Sequence, residues 1–427
     1  MQSDFHYYAT YCAAIIAGYS HEESLELCYS DQFVDKCSKT LLSKVRAPLA
    51  AATTQLGVEL VDARTDILGL QDTTRIWASF HFLPQDLYAV PPKRCSKRYR
   101  RKYRMICGPN GDLVVETVNL AKGSSLAAAG IAMHVLSDTW AHRYFAGTPS
   151  LVINNTNYHF YELVDDTLCQ EDGKAQGGRE RQEAREGADD RQARSNLEPS
   201  GNLVWRRVRF GFNPLEPDDP NRGVYINSPY QVGEHSVSNL GHGRAGHLPD
   251  YSFITYRYMP AWADYEEVVK DNPREYLCAF TQMIHAMKYL RGECDSFQKD
   301  CYDMAAIEPW EDRIRSILTK RQLDASDDWK AFGEELSGCT IEDFDVEKCQ
   351  EEYLAADDEE KDSTFLGQFV LGAMAQKSMV TNRIRRSGSM IAGHSIDFKL
   401  NSYMGIRDFQ MLAEELSEEV RGVQVDD

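Results

Sequence analysis

The amino-acid sequence predicts a mainly α-helical protein. Apolar residues recur three and four positions apart in several segments, which is the spacing of one face of an α-helix. The alternation of apolar and polar residues that would indicate β-strands is weak throughout. Hydrophobic residues make up 42% of the 427 residues, so the chain can form a substantial core.

The N-terminal segments carry the first helix signals. Residues 4–30 have apolar side chains at helical spacing, and Ser20 followed by Glu23 is the signature of a capping box at the start of a second helix. We expect residues 31–60 to continue in helical conformation.

The next part of the chain combines a short apolar segment, a basic run and the most apolar helix. Residues 76–83 are apolar and end before Pro84, and residues 108–111 predict a turn. Residues 126–145 predict a helix that begins with small apolar side chains. The basic run 93–104 contains Lys93, Arg94, Lys97, Arg98, Arg100, Arg101, Lys102 and Arg104, with Tyr99 and Tyr103 between them.

The basic run has several interpretations. It could bind phosphate headgroups, or a nucleic-acid strand with Tyr99 and Tyr103 as stacking platforms. It could equally be the solvated face of a surface helix, or a dock for the acidic C-terminal part of the chain.

The remaining segments predict loops and further helices. Residues 169–200 are almost entirely polar and predict a flexible insertion, whereas residues 205–262 predict long structured loops. Residues 272–291 predict a strong amphipathic helix. We expect a metal-binding catalytic domain over residues 1–300 and an acidic helical region over 301–427, with helices near 308–337 and 363–377 and an acidic stretch at 341–362.

Composition restricts the class of protein. The formal net charge of −19 disfavours a general nucleic-acid binder, which is usually basic. The 11 cysteines form no C-x-x-C pair and predict reduced thiols. Neither a signal peptide nor a run of 18 apolar residues is visible, so we expect a cytoplasmic chain as synthesised, and export without a cleaved signal peptide is also compatible with it.

Three ionisable residues lie four positions apart on the most apolar predicted helix. His134, Asp138 and His142 would fall within an arc of about 80° on one face. Burying two imidazoles and a carboxylate is costly unless they bind a metal or one another. Eight residues rise about 12 Å, so the two histidines would serve different ions, with Asp138 shared between them. The alternative is a helix with ordinary buried histidines or a salt-bridged face.

Other histidines and aspartates occur in apolar or glycine-rich surroundings and complete a candidate ligand set. Imidazole and carboxylate ligands without thiolates favour zinc, with iron or manganese as alternatives. Arg143 and Arg244 adjoin the set and could clamp a phosphate or pair with surface acids. The candidate ligands outside the triplet are Asp4, His6, Asp35, His81, His242, His247 and Asp250.

The order of these motifs resembles an uncharacterised bacterial family of mainly helical proteins. The resemblance covers about residues 4–290. Its motifs are Asp4-x-His6, Val34-Asp35, Phe80-His81-Phe82-Leu83-Pro84, the stretch from His134 to Gly147, and Gly241-His242-Gly243 followed by Pro249-Asp250.

More distantly, the ligand order is similar to that of the zinc-dependent phospholipase C and single-strand nuclease superfamily, which are helical enzymes with three zinc ions. The resemblance implies a helical metallohydrolase-like core. One zinc would be held by Asp35, His81, His134 and Asp138. A second would be held by His142, His242 and Asp250, with His247 as a rival for either of the last two. A third would be held by His6 and Asp138, where Asp4 would replace the amino-terminal ligand of that superfamily.

The resemblance implies a zinc-dependent phosphodiester hydrolase, phospholipase C-like or nuclease-like, acting on a phospholipid or a nucleotide. A water shared by two ions would have a pKa of about 7 and attack phosphorus in line. Asp138, Arg143 and Arg244 are the candidate catalytic residues. The alternative is a non-enzymatic helical interaction protein, or a delivered toxin, with a structural metal site and a protein partner bound through residues 301–427.

Overall fold

A computed structural model describes residues 1–63, 67–150, 153–157, 159–168, 202–211, 217–227 and 240–389. The described part is mainly α-helical, which confirms the coarse fold class. The predicted polar insertion at 169–200 lies outside the described residues. No helix in the described ranges is both long enough and apolar enough to span a membrane.

Eight helices precede the sheet in the described N-terminal part. A π-helical turn, Asp4–Ala9, runs directly into the first of them. The capping box predicted at Ser20 and Glu23 is present. The helices are α1 (Thr10–Ile16), α2 (His21–Phe33), α3 (Lys39–Lys44), α4 (Gly57–Ala63), α5 (Ile67–Phe80), α6 (Lys97–Tyr103), α7 (Asp112–Ala121) and α8 (Leu126–Ala141).

The C-terminal part adds another group of helices. The predicted amphipathic helix is confirmed as α9 (Asn272–Arg291), which ends at Gly292 in the left-handed conformation. The acidic stretch at 341–362 contains a helix that the sequence analysis did not predict, α13 (Val346–Ala355). The other helices are α10 (Met304–Ile307), α11 (Glu311–Thr319), α12 (Ser326–Ser337) and α14 (Phe365–Arg386).

The prediction of continuous helix over residues 31–60 is wrong. Helix α2 ends at Phe33, and the chain then folds back so that Thr53 lies against the end of that helix. The Thr53 backbone N–H donates to the Cys37 carbonyl at 2.9 Å, and its hydroxyl donates to the Val34 carbonyl at 2.6 Å. These tertiary hydrogen bonds override helix propensity and bring Thr53 against the turn that contains Asp35.

A small β-sheet is present although the strand signal of the sequence is weak, and it includes parts of residues 205–262, where long structured loops were predicted. Four antiparallel strands pair in the order β2-β1-β5-β6, and two strands of two residues each pair in parallel as β3 and β4. None of the described strands is longer than five residues. An alternation of apolar and polar side chains over so few residues is too short to detect in the sequence. The strands are β1 (Tyr161–Asp165), β2 (Leu203–Arg207), β3 (Arg209–Phe210), β4 (Val224–Tyr225), β5 (Thr255–Tyr258) and β6 (Val268–Asp271).

Helix α8 forms the centre of the main core. Almost all of its side chains are buried, and α2, α9 and α14 pack against it. The approach to α2 is close at Gly130, where an added Cβ would lie 2.4 Å from the Leu27 carbonyl oxygen. Because α2 and α8 come this close, side chains from their facing surfaces meet in the interior.

The predicted boundary at residue 300 falls within one apolar core. Phe5 packs edge-on against Trp329 with ring centroids 6.2 Å apart, and both belong to the same buried cluster as Phe369. The Asp4 carboxylate accepts the backbone N–H of Ala325 at 3.1 Å. The N-terminal turn is therefore packed against the C-terminal helices, while the division into a domain of residues 1–300 and a region of residues 301–427 stays a prediction.

Candidate metal centre

Asp138 lies at the centre of a buried cluster of imidazoles and carboxylates. Its Oδ2 atom is 3.2 Å from His81 Nδ1 and 3.2 Å from His134 Nε2. Its Oδ1 atom is 3.2 Å from His6 Nε2 and 2.7 Å from the α-amino nitrogen of Met1. The two oxygens face different groups of ligand atoms, as expected for a carboxylate shared between ions.

The first ligand group contains Asp35, His81 and His134, together with Asp138 Oδ2. His81 Nδ1 and His134 Nε2 are 3.2 Å apart, and Asp35 Oδ1 is 3.8 Å and 3.9 Å from these two nitrogens. Four ligands at zinc distance in a tetrahedron lie about 3.3 Å from one another. The four atoms therefore have nearly the spacing of a tetrahedral zinc site.

The second ligand group contains His142, His242 and Asp250. His142 Nε2 is 3.3 Å from Asp250 Oδ1, and His242 Nε2 is 3.7 Å from Asp250 Oδ2. The α-amino nitrogen of Met1 lies between this group and Asp138, 3.3 Å from His142 Nε2 and 3.5 Å from Asp250 Oδ1.

Hydrogen bonds to the backbone orient four of the imidazoles. His81 Nε2 lies 3.0 Å from the Thr53 carbonyl, and His134 Nδ1 lies 3.0 Å from the Asp31 carbonyl. His142 Nδ1 lies 2.7 Å from the His81 carbonyl, and His242 Nδ1 lies 2.7 Å from the Gly246 carbonyl. A carbonyl only accepts, so these nitrogens donate. In the neutral ring the opposite nitrogen, which faces the cluster, carries the lone pair that a metal-binding histidine uses.

His6 is a fully buried imidazole at the edge of the cluster. The π-helical turn places its ring in the interior, stacked on His134 at a centroid distance of 3.9 Å. Its ring nitrogens lie 2.8 Å from Asp31 Oδ1 and 3.2 Å from Asp138 Oδ1. Within the described residues, neither contact has hydrogen-bond alignment. A buried imidazole without hydrogen bonds is costly, and an ion on the Asp138 side would satisfy it.

Asp31 was missed by the sequence analysis. It is fully buried; its Oδ1 is 3.1 Å from His134 Nδ1, and its Oδ2 accepts the Thr10 hydroxyl at 2.6 Å. His6, Asp31 and His134 are close enough to hold an ion themselves. We assign Asp31 instead as an orienting carboxylate, because His134 directs its other nitrogen at the first ligand group. The sequence signal that could have identified Asp31 is its position four residues before the candidate ligand Asp35, near the end of a helix.

Burial and neighbouring charges shift the pKa values of several groups in the cluster. Burial disfavours charge on Asp138, but His142, the Met1 amino group and His134 together hold its pKa well below the usual range. Burial also opposes a charged His134, yet Asp138 and Asp35 outweigh it and raise its pKa to about 10. Burial lowers the pKa of His142 to about 4, so that ring is neutral and able to act as a ligand.

Two predicted ligands lie outside the ligand groups. Both oxygens of Asp4 accept backbone N–H groups, from Phe5 at 2.7 Å and from Ala325 at 3.1 Å, so its expected position beside His6 is wrong. The Met1 amino group lies there instead. His247, predicted as a rival ligand for the second group, lies beside that group instead. Its Nδ1 is 3.1 Å from Asp250 Oδ2, and its side chain is 40% exposed. It supports Asp250 from outside the second group.

The two arginines proposed to clamp a phosphate have other surroundings. Arg143 pairs with Glu275 at 3.1 Å and stacks on the Tyr144 ring. This arrangement agrees with the alternative in which the arginine pairs with an acidic residue. Arg244 is buried, and its carbonyl accepts the side-chain amide of Asn227 at 3.3 Å. Within the described contacts neither guanidinium adjoins Asp138, so a role for either in binding phosphate stays a prediction.

Comparison with known proteins identifies a family without identifying a function. A model described as a family of unknown function, DUF6765, matches residues 1–384. No curated protein and no solved structure matches the chain. The match spans the ligand groups, the sheet and the C-terminal helices through most of α14. The chain therefore belongs to the DUF6765 family.

Proposed function

We propose that the protein is a metal-dependent phosphodiester hydrolase with two or three divalent ions, zinc first among them, in the cluster around Asp138. The observation that carries the proposal is the orientation of the imidazoles. Four of them donate one N–H to a backbone carbonyl and direct the other nitrogen at shared carboxylates. Ordinary buried histidines have no reason to converge in this way.

The donor set fits zinc. All candidate ligand atoms are imidazole nitrogens or carboxylate oxygens, with the Met1 amino nitrogen beside them. The first group supplies four atoms and the second three, which leaves a position for water or substrate in the second group. Mixed imidazole and carboxylate shells with an open position are typical of catalytic rather than structural zinc sites.

The protein's own residues would hold the reacting groups in place. Bound divalent ions would lower the pKa of a coordinated water to about 7 and neutralise charge on a phosphoryl group. Asp138 would complete the first group through Oδ2, while its Oδ1 faces His6 and the Met1 amino nitrogen. Phe82 stacks on the His142 ring with centroids 4.6 Å apart and closes that side of the cluster to solvent.

The choice of a phosphodiester rests on ligand order and charge. The two ligand groups contain the residues assigned from the phospholipase C and nuclease superfamily, in the same grouping. The net charge of −19 favours a phospholipid or a small phosphoester over a polynucleotide.

Hydrolysis by the metal-loaded protein tests the proposal. The wild-type chain should cleave a chromogenic phosphodiester, lose that activity to a chelator and regain it with zinc. Asp138→Asn, which keeps the shape of the side chain but removes its charge, should lower kcat/KM by more than a hundredfold, since the first ligand group loses its charged Asp138 ligand. Asp112→Asn, at an exposed carboxylate, is the control.

Phosphatidylcholine and single-stranded DNA should be tested beside the chromogenic substrate. Cleavage of either one names the substrate class. A zinc-loaded protein that hydrolyses none of the three would contradict the proposal. That result would favour the second candidate, a structural metal centre in an interaction protein, which the nearly complete burial of His6, His134 and Asp138 would suit.

A further inference from the structure

Residues 85–106, here named the basic arm, leave and re-enter the fold at one point. Pro84 and Cys107 form an antiparallel bridge, and the Gln85 N–H donates to the Ile106 carbonyl at 3.0 Å. The Cys107 N–H donates to the Phe145 carbonyl at 2.7 Å. His81 and His142 lie three residues before Pro84 and Phe145, so the base of the arm adjoins the metal centre.

Helix α6 within the arm has two different faces. The first face carries Tyr99 and Tyr103, whose ring centroids are 6.3 Å apart. The Tyr99 hydroxyl donates to the Trp262 carbonyl at 3.0 Å, and the Tyr103 ring lies edge-on to the Trp262 ring. At about 100° per residue, the opposite face of the helix carries a basic stripe. That stripe consists of Lys97, Arg100, Arg101 and Arg104.

Among the described residues, several cations of the arm have no ion-pair partner. Lys93 pairs with Asp264 at 2.7 Å. Across the described ranges, no ion pair involves Arg94, Lys97, Arg100 or Arg101. In a chain of net charge −19, such a local concentration of cations is an attractive site for an anionic surface.

Two exposed apolar side chains lie beside the basic stripe. Arg104 Nε donates to the Ala89 carbonyl at 3.2 Å. This hydrogen bond holds the segment around Ala89 next to the basic stripe. Tyr88 is 67% exposed and Val90 is 71% exposed. An aromatic and an aliphatic side chain next to cations is the combination found at the boundary between lipid headgroups and acyl chains.

We infer that the basic arm docks on an anionic lipid bilayer, with the stripe against the headgroups and Tyr88 and Val90 at their boundary with the acyl chains. A nucleic-acid strand fits less well. The rings that would stack on bases, Tyr99 and Tyr103, are packed against Trp262 instead. The inference goes beyond the proposed hydrolysis and does not depend on it.

Co-sedimentation of the full chain with vesicles tests the inference. We expect binding to vesicles of phosphatidylcholine mixed with phosphatidylserine, no binding to phosphatidylcholine alone, and release at high salt. Lys97→Gln/Arg101→Gln should weaken binding about 25-fold, since each cation near an anionic surface contributes about fivefold. Tyr88→Ser/Val90→Ser should weaken binding at unchanged charge.

Lys36→Gln/Lys44→Gln is the matched control, because it removes the same charge at exposed positions outside the arm. It should bind vesicles as the wild type does, and all variants should retain the wild-type metal content and melting temperature. Equal losses in the arm and control variants would overturn the inference. So would tighter binding to single-stranded DNA than to the anionic vesicles, lost in the arm variant.

Discussion

At the scale of single residues, the candidate centre depends on which nitrogen of each imidazole carries the proton. Backbone carbonyls decide this for four rings, as described above for His81, His134, His142 and His242. Asp31 adds a negative charge beside the protonated nitrogen of His134 and close to His6. A carboxylate in this position fixes the ring and strengthens its opposite nitrogen as a ligand.

Replacement of Asp31 by Asn should lower zinc affinity without removing any ligand. We expect a loss of about 10- to 100-fold, because the amide cannot provide the charge that polarises both imidazoles. Competition with a chromogenic chelator measures the affinity. Asp112→Asn should leave it unchanged, and an unchanged affinity in Asp31→Asn would mean that Asp31 only fills space.

The sequence predicted most members of the cluster for a definite reason. Spacing of four on an apolar helix is visible without a structure, and it identified His134, Asp138 and His142. Asp31 escaped because its side chain acts through a tertiary contact with His134, 103 residues away in the chain. Asp4 was misassigned because sequence order cannot show that backbone N–H groups already occupy its oxygens.

At the scale of elements, the close approach of α2 and α8 sets the position of the ligands. Helix α2 carries Asp31 and ends two residues before Asp35, and α8 carries His134 and Asp138. Gly130 permits this approach, because an added Cβ would lie 2.4 Å from the Leu27 carbonyl oxygen and 2.5 Å from Ser30 Cβ.

Gly130→Ala should therefore reduce both stability and metal affinity, although Gly130 contacts no ligand. Forcing the helices apart should cost about 1–3 kcal/mol of unfolding free energy, measured by urea denaturation. Gly372→Ala is the comparison, since its added Cβ would lie 3.1 Å from the flexible end of Ile131 and 3.3 Å from Ala128 Cα, which is much less tight than at Gly130. We expect that variant to be nearly neutral. Equal behaviour of the two variants would contradict the account.

Helix α14 contains a buried lysine whose effect on stability should depend on pH. Burial lowers the pKa of Lys377 to about 8, against 10.5 in the unfolded chain. The folded state therefore bears the full cost of the buried charge below pH 8, and stability rises with pH from about 8 to 10.5. Lys377→Met should stabilise the protein by about 2–3 kcal/mol at pH 7.

Thermal unfolding across this pH range checks the prediction. The advantage of Lys377→Met should vanish near pH 10.5, and the exposed-site control Lys348→Met should show no such trend. A stabilisation that does not change with pH would indicate that packing, rather than charge, is responsible.

Helices were predictable where amphipathic spacing persisted, as in α8 and α9. The break after α2 was not, because it depends on Thr53 returning to the end of that helix. The sheet was not predictable either, since its strands are short and gain their stability from partners distant in sequence. Leu163 of β1, for example, pairs with Trp205 of β2.

At the scale of the whole molecule, ligands from distant segments share one core. The N-terminal turn packs on Trp329, and α14 packs on α8, so the C-terminal helices support the helix that carries the shared aspartate. Burial of so many ionisable groups destabilises the folded chain unless a cation compensates them. Metal removal should consequently lower the melting temperature of the entire molecule, because binding energy contributes to folding.

Elemental analysis of the purified protein, with Asp138→Asn beside it, shows whether divalent ions occupy the cluster around Asp138. The account predicts two or three equivalents of a divalent metal, zinc foremost, in the wild-type chain after dialysis. It predicts that Asp138→Asn loses at least one equivalent and melts at a lower temperature. A wild-type chain that takes up no divalent metal, or a variant with unchanged metal content, would contradict it.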